Sequence, residues 1–445
     1  MTAMPHGFSA RQVAARVLAR AHVGGAFAAA ALDSELDRAV QLDARDRALA
    51  TEIVYGSLRV ERWLDVEIAR FTKTKAAIDA SVRAHLVVAA YQLFFTRVPA
   101  FAAVSEAVSS VRAERGAKVA AFANAVLRRI AARAATTEHP SRDEAMLASM
   151  PPWLCEALAR ALSSDDSRAF LTCGDETPAV ALRAETADQR PLWLARLRDA
   201  VPTATFEAGG VSPLSILVRG AGKPEALPGY ADGAWSVQEE GAQFAALAVG
   251  AREGEDVLDA CAGRGNKTAV LARAVGKQGA VDACDSNPRK LERLALEMRR
   301  VGLAARDTFA IDWTVGSGDL KRTYDRVLVD APCTGVGTLR RRPEIASRRR
   351  PGELASISRT QRAIASNAAN HVRTGGSLVY VVCSVLREEC EDVMEALVAE
   401  RGDFEPVPFE APVVKCLFGE KVSVRLLPNV HGTDGYFLAH LRRRA

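Results

Sequence analysis

Along the first 138 or so residues, apolar positions recur at intervals of three and four, as in Val13, Val17, Leu18 and Ala21 and again in Leu86, Val87, Ala90, Leu93 and Phe94. That spacing gathers an apolar stripe on one side of a helix, and the alanine-rich background favours helix throughout. A helical bundle is predicted for residues 1–138. Between 139 and 230 the rhythm breaks, with Pro140, Pro151-Pro152, Pro202 and Pro228-Gly229 punctuating short mixed segments. This predicts a small α+β connector. From 231 to 445, strand-like runs alternate with helical stretches, the pattern of a doubly wound parallel sheet. Strands are expected at Asp256–Ala260, Ala280–Cys284, Thr308–Ile311, Arg326–Val329 and Leu378–Val382, with a closing pair near Val422–Leu427 and Tyr436–Leu441. No internal repeat or low-complexity tract interrupts the scheme.

Composition narrows the class. A chain of 445 residues with 49% hydrophobic residues and a mean hydropathy of −0.02 has the size for two or three domains and the balance of a globular protein. A net charge of +5 and a pI near 8.8 permit a phosphate-rich partner without requiring one. The eight cysteines (155, 173, 261, 284, 333, 383, 390 and 416) lie mostly in or beside apolar runs and show no Cys-x-x-Cys spacing. Reduced thiols are therefore expected, with neither disulfides nor a metal site. Arg11, Arg16 and Arg20 ahead of Val23–Leu32 imitate a secretory signal only faintly, because glycines interrupt the apolar part and the arginines are spaced along an amphipathic helix. No later run reaches the roughly 18 to 20 apolar residues of a membrane span. The expectation is a cytoplasmic protein with no membrane partner.

Candidate chemistry gathers at two strand ends. Val327-Leu-Val-Asp330-Ala-Pro332-Cys333-Thr-Gly335 is an apolar run that stops on a carboxylate, a proline and a thiol, and Ser377-Leu-Val-Tyr380-Val-Val-Cys383-Ser384 also ends on a cysteine. Open α/β sheets bind ligands at the carboxyl ends of their strands. Two neighbouring strands would thus bring two thiols to one cleft, whereas Cys261, Cys284 and Cys390 are read as structural. A third stretch, Val257-Leu-Asp259-Ala-Cys261-Ala262-Gly263-Arg264-Gly265-Asn266-Lys267-Thr268, reads as strand, glycine-bearing turn and helix start. Asp285 ends the second strand, suited to accept ribose hydroxyls, and Asp312 ends the third, suited to an adenine edge.

Asp330-Ala-Pro-Cys333 and Tyr380-x-x-Cys383-Ser384 resemble two motifs of the RNA cytosine-C5 methyltransferases of the Fmu/Sun family. The resemblance extends over nearly the whole chain. Asp46–Arg59 and Phe122–Arg129 are similar to the NusB-type helical fold that precedes the methyltransferase in that family, Pro151–Leu154 and Leu182–Thr186 to its linker, and Gly432–Leu441 to its last strand. It implies a NusB-like RNA-binding bundle at 1–138, a connector at 139–230 and a Rossmann-like S-adenosylmethionine-dependent methyltransferase domain at 231–445. It further implies RNA as partner, namely small-subunit ribosomal RNA or a precursor.

For the loop at 261–267, a phosphate-binding P-loop would need glycines where Cys261 and Asn266 stand, and is rejected. The NAD fingerprint wants a third glycine at Thr268. S-adenosylmethionine fits better. The family's loop usually reads Ala-Pro-Gly-Gly-Lys-Thr, so this chain departs from it at Arg264 and Asn266, although asparagine tolerates left-handed backbone better than most residues.

The resemblance also implies roles. Cys383 is the nucleophile that adds to carbon 6 of cytosine, Cys333 serves product release, Asp330 meets N3 and the exocyclic amine, and Lys267 faces the active site. The basic runs Arg340–Arg342 and Arg348–Arg350 are candidates for RNA phosphates. Two other readings stand beside this one. An RNA-binding ribosome-assembly factor with an impaired methyltransferase fold is motivated by Arg264 and Asn266, and a DNA cytosine methyltransferase would instead use Cys333 as nucleophile.

Overall fold

The helical spacing of the first third becomes α1 (Ala10–Val23), α2 (Ala28–Arg38), α3 (Ala44–Arg59), α4 (Glu61–Ala69), α5 (Ala80–Phe95), α6 (Ala100–Arg115) and α7 (Ala117–Thr136) in the computed structural model. The structure describes residues 8–23, 25–72, 78–136, 138–174 and 178–444. Side-chain caps start α1, α3 and α5, with Ser9 accepting from the Gln12 amide, Asp43 from that of Asp46 and Asp79 from those of Ser81 and Val82. In α5 buried residues occur all round the axis, so it forms the centre of the bundle. Its own Leu86 and Tyr91 are fully buried, as are Ile53, Leu64, Leu127 and Ile130 of the neighbouring helices. Gly56 is required by close approach, since a Cβ there would lie 2.1 Å from the Tyr91 hydroxyl, which donates to Glu52 at 2.6 Å.

The compact unit built on this bundle comprises Met1–Cys155 and Ser167–Thr177, and also Leu339–Arg348 from far along the chain. Within that unit Glu344, itself buried, accepts from the Ala28 amide at the start of α2 at 3.1 Å. Arg348 donates to the carbonyls of Ala21 and Ala26, and Arg342 and Arg348 lie over the Phe27 ring at 5.4 and 5.2 Å. Arg59 is buried and donates to the Arg340 carbonyl at 3.1 Å. These contacts correct part of the expectation for the basic runs: Arg348 is committed to backbone carbonyls, whereas Arg342 and Arg350 are exposed. Of the arginines in the bundle, Arg128 and Arg129 are exposed as well.

The second unit holds Glu156–Asp166, Pro178–Thr338 and Arg349–Ala445. Its first sheet joins β1 (Val180–Ala184), β2 (Thr205–Ala208), β3 (Ser215–Arg219) and β4 (Trp235–Val237) in the antiparallel order β2-β3-β1-β4. Its second is eight-stranded. The parallel strands are β5 (Asp256–Asp259), β6 (Ala280–Cys284), β7 (Thr308–Phe309), β8 (Tyr324–Asp330) and β9 (Val372–Val382), in the order β9-β8-β5-β6-β7. Beyond β9 lies β12 (Tyr436–Arg443), antiparallel, which pairs with β10 (Phe404–Pro406) and β11 (Ser423–Leu426). This is the Rossmann-like sheet that the strand-helix alternation predicts. Val327, Leu328 and Val329 of β8 and Leu378–Val382 of β9 are buried on both faces, which is why they read as unbroken apolar runs.

β7 is shorter than its apolar run. Only Thr308 and Phe309 pair with β6, while Ile311 turns into the core that also buries Trp313. No helix among the described residues is long and apolar enough to cross a membrane. None of the described residues form a cluster of three or more His, Cys, Asp or Glu able to hold a metal.

Candidate active site

Register brings the two thiols together. Asp330, the last residue of β8, pairs with Val381 of β9, so Cys333 and Cys383 emerge side by side just past the sheet. Their sulfurs are 3.2 Å apart. The Ala331 amide donates to the Val381 carbonyl at 3.0 Å and the Gly337 amide to that of Cys383 at 3.1 Å, so the loop after β8 is laced to β9. Gly337 has no room for a side chain, since a Cβ would lie 2.0 Å from the Gly435 carbonyl oxygen.

β5, the other neighbour of β8, delivers the glycine loop. The amide of Ala262 bonds the Cys284 carbonyl at 2.7 Å, and that of Gly263 bonds the Asp285 carboxylate at 3.1 Å. Gly263 and Gly265 have φ of +58° and +89°, left-handed backbone that glycine adopts at low cost. Asn266 is the first residue of the helix Asn266–Val275, and its carbonyl accepts from the buried Arg183 at 2.6 Å. The asparagine therefore needs no left-handed tolerance, because both demanding positions remain glycine. A side chain at Gly263 would meet nothing within 4 Å, so its backbone is open to a ligand.

From the second residue of that helix, the Lys267 ammonium meets the Asp330 carboxylate at 2.7 Å. Burial alone would lower the lysine's pKa, but Asp330 outweighs it and holds the ammonium above its ordinary range, with smaller support from the charges of Asp259 and Cys383. Asp259, fully buried, accepts from the Thr268 hydroxyl at 2.8 Å. Burial pushes its carboxyl up to about 7. The Cys333 thiol is raised by its hydrogen bond with Cys383, then by burial and by the charges of Cys383 and Glu389. Cys261 is raised by burial and by Asp330, Asp259 and Asp285.

Cys333, Cys383, Lys267 and Asp330 thus share one mouth, with Cys261 and Ala262 in the loop below it. Asp285 lies with the glycine loop, its carboxylate also accepting from the Asn287 amide at 2.9 Å and from Lys290 at 3.2 Å. Arg264 is exposed. Asp312 is exposed beyond the end of β7, where its carboxylate accepts from Thr314, which holds it below the usual range.

Three further residues complete the frame: Arg349, which the sequence offers for RNA phosphates, and Gln361 and Glu389, which it does not single out. Arg349 donates to the Thr334 carbonyl at 3.0 Å, Gln361 to that of Pro332 at 2.9 Å, and Glu389 is buried beneath both thiol-bearing loops. No spacing signal marks Glu389, which stands in an acidic run, Glu388-Glu389-Cys390-Glu391, that reads as a solvated helix start.

Residues 246–442 match the family described as 16S rRNA methyltransferase RsmB/F, and residues 9–132 match the NusB family. Ribosomal RNA small subunit methyltransferase B of Pseudomonas putida is 31% identical over 441 residues, 97% of this chain and 98% of that protein. The chain belongs to the RsmB/F methyltransferase family. A putative methyltransferase of Mycobacterium tuberculosis, 37% identical over 90% of this chain and 89% of its own length, is a further relative. Among solved structures, PH0851 superposes with a TM-score of 0.83 at 22% identity, covering 99% of this chain and 100% of that one. NSun6 from Pyrococcus horikoshii with SFG gives 0.58 at 18%, covering 67% of this chain and 100% of that one. At such identities these two establish the shared fold. An RsmB/F methyltransferase draws its methyl group from S-adenosylmethionine, and the open glycine turn beside a carboxylate and a helix N-terminus suits that molecule.

Proposed function

We propose that this methyltransferase modifies carbon 5 of cytosine in RNA, with small-subunit ribosomal RNA or its precursor as substrate, through a covalent bond between Cys383 and carbon 6 of the base. The observation that carries the reading is the pair of sulfurs 3.2 Å apart at the ends of adjoining strands, beside the Lys267–Asp330 pair. Carbon 5 of cytosine is a weak nucleophile. Addition of the Cys383 thiolate to carbon 6 breaks the C5–C6 π bond and shifts its electrons toward N3, leaving an enamine across C4 and C5 whose carbon 5 can attack. Asp330 stabilises the charge that reaches N3 and the exocyclic amine, and Lys267 orients it. S-adenosylmethionine supplies the methyl group, held by residues 261–267, with Asp285 toward the ribose and Asp312 toward the adenine edge. Carbon 5 then loses its proton to a base, that electron pair restores the C5–C6 double bond, and the C6–S bond breaks toward Cys383. Cys333, kept as a neutral thiol by its surroundings, serves this release. The base must leave its stack to reach the site, and the NusB-like bundle, with Arg128 and Arg129 exposed, is an RNA-binding accessory.

Two variants test the assignment. Cys383→Ala loses turnover, whereas Cys333→Ala accumulates a protein–RNA adduct that survives a denaturing gel. Full turnover in Cys383→Ala would sink the nucleophile assignment, and absence of calorimetric heat with millimolar S-adenosylmethionine would favour the impaired assembly factor. Bisulfite sequencing of ribosomal RNA from a deletion strain locates the target nucleotide.

A further inference from the structure

Glu389 takes no part in the chemistry above, yet it is fully buried and accepts hydrogen bonds from both thiol-bearing loops. One carboxylate oxygen accepts from the Thr334 amide at 2.7 Å and from Gln361 Nε2 at 3.1 Å. The other accepts from the Thr334 hydroxyl at 2.6 Å and from the Ser384 hydroxyl. Thr334 follows Cys333, and Ser384 follows Cys383. A single carboxylate therefore grips the residue next to each sulfur. Glu389 is itself anchored, its amide donating to the Leu386 carbonyl at 3.0 Å and its carbonyl accepting from the Tyr380 hydroxyl at 2.8 Å. Among the described residues, the four donors to the carboxylate are neutral. A buried carboxylate without an ion pair is costly and persists where its hydrogen bonds are complete, and here completing them requires both loops in place.

We propose that Glu389 is a positioning residue that sets the separation of the Cys333 and Cys383 sulfurs. The proposal deepens the cysteine-adduct reading and rests on it for the effect on turnover, though not for the spacing itself. Gln361 reinforces the grip by bonding both Glu389 and the Pro332 carbonyl. Glu389→Gln keeps the arrangement, because its amide oxygen can accept from the Thr334 amide and Gln361 while its NH2 donates to the two hydroxyls. Glu389→Ala removes all four bonds.

Diamide reads the spacing directly, taking up two electrons and two protons as two thiols become one disulfide. Peptide mapping without reductant then measures closure of the Cys333–Cys383 bond. Wild type and Glu389→Gln are expected to close at rates within about threefold of each other, and Glu389→Ala at least about tenfold more slowly, with both thiols still open to alkylation. In turnover, Glu389→Ala loses about 100-fold in kcat with KM for RNA nearly unchanged, and Glu389→Gln recovers most of that loss. Equal closure rates in Glu389→Ala and wild type overturn the proposal, as does a Glu389→Gln enzyme whose closure is as slow as that of Glu389→Ala. Slow closure with unimpaired turnover keeps the proposal and removes the adduct reading instead. If Glu389→Ala does not fold, Thr334→Val, which deletes one bond of the four, carries the closure test, and an unchanged rate there overturns the proposal.

Discussion

Asp259 is a carboxyl with no solvent contact, bonded to the Thr268 hydroxyl and pushed up to about 7 by burial. In the unfolded chain it titrates near 3.8, so between those values the folded chain holds a proton that the unfolded chain has released. Its contribution to stability is greatest below pH 4, declines as pH rises toward 7 and is fully lost above that. A shift of this size corresponds to about 4 kcal/mol. Asp259→Asn keeps an oxygen for Thr268 and cannot ionise, so urea unfolding at about pH 9 should find the variant more stable than wild type by up to about 4 kcal/mol, and the gain should shrink at about pH 5. A constant difference between the two pH values would refute the burial account. The same residue scale shows what a sequence displays and what it hides. Cys333, Cys383, Asp330 and Lys267 can be picked out because each lies at or just past a strand end, or in the first turn of a helix, beside a recognisable motif. Glu389 cannot, because nothing in the order of residues says which of two successive glutamates is buried; Glu388 is only partly so and bonds Arg160, while Glu389 is out of water entirely.

Elements were legible in proportion to how completely they are buried. β8 and β9 announce themselves by runs of Val, Leu and Tyr that only a strand covered on both faces can accommodate. β7 misled at its end because apolar Ile311 serves packing rather than pairing. The loop after β8 is an element of another kind, held by backbone rather than by apolar side chains, and its requirement for Gly337 comes from space alone, since its φ is not among the positive ones. Gly337→Ala should therefore cost about 1–3 kcal/mol through overpacking against Gly435 and Cys383. It should lower the thermal midpoint and reduce turnover more than the affinity for S-adenosylmethionine, which differential scanning and calorimetry can separate. Unchanged stability and turnover would mean that the loop yields freely and is not held as described.

At the scale of the whole molecule the chain forms two compact units, and they do not follow chain order. Leu339–Arg348 is coded within the methyltransferase region and packs with the helical bundle, a placement decided by tertiary contacts between residues about 320 positions apart, as for Arg348 with Ala26. No local pattern carries such information, and an arginine-rich run reads naturally as a solvated or phosphate-binding surface. Glu344→Ala removes the acceptor for the Ala28 amide at the start of α2, a loss of about 1 kcal/mol by analogy with helix caps. Trypsin should then cut at Arg340–Arg342 roughly fivefold faster than in wild type under conditions where opening is in rapid equilibrium. Equal cleavage rates would show that this contact does not hold the segment down.

The placement of Leu339–Arg348 also bears on how the protein is made. During translation α1–α7 leave the ribosome early, but the last piece of their unit emerges only about two hundred residues later, roughly 10 to 40 s at ordinary elongation rates. For that interval the nascent bundle stands without its closing segment, and Met146, Phe170 and Leu171, which line a cleft with Leu339 in the finished unit, lack that neighbour.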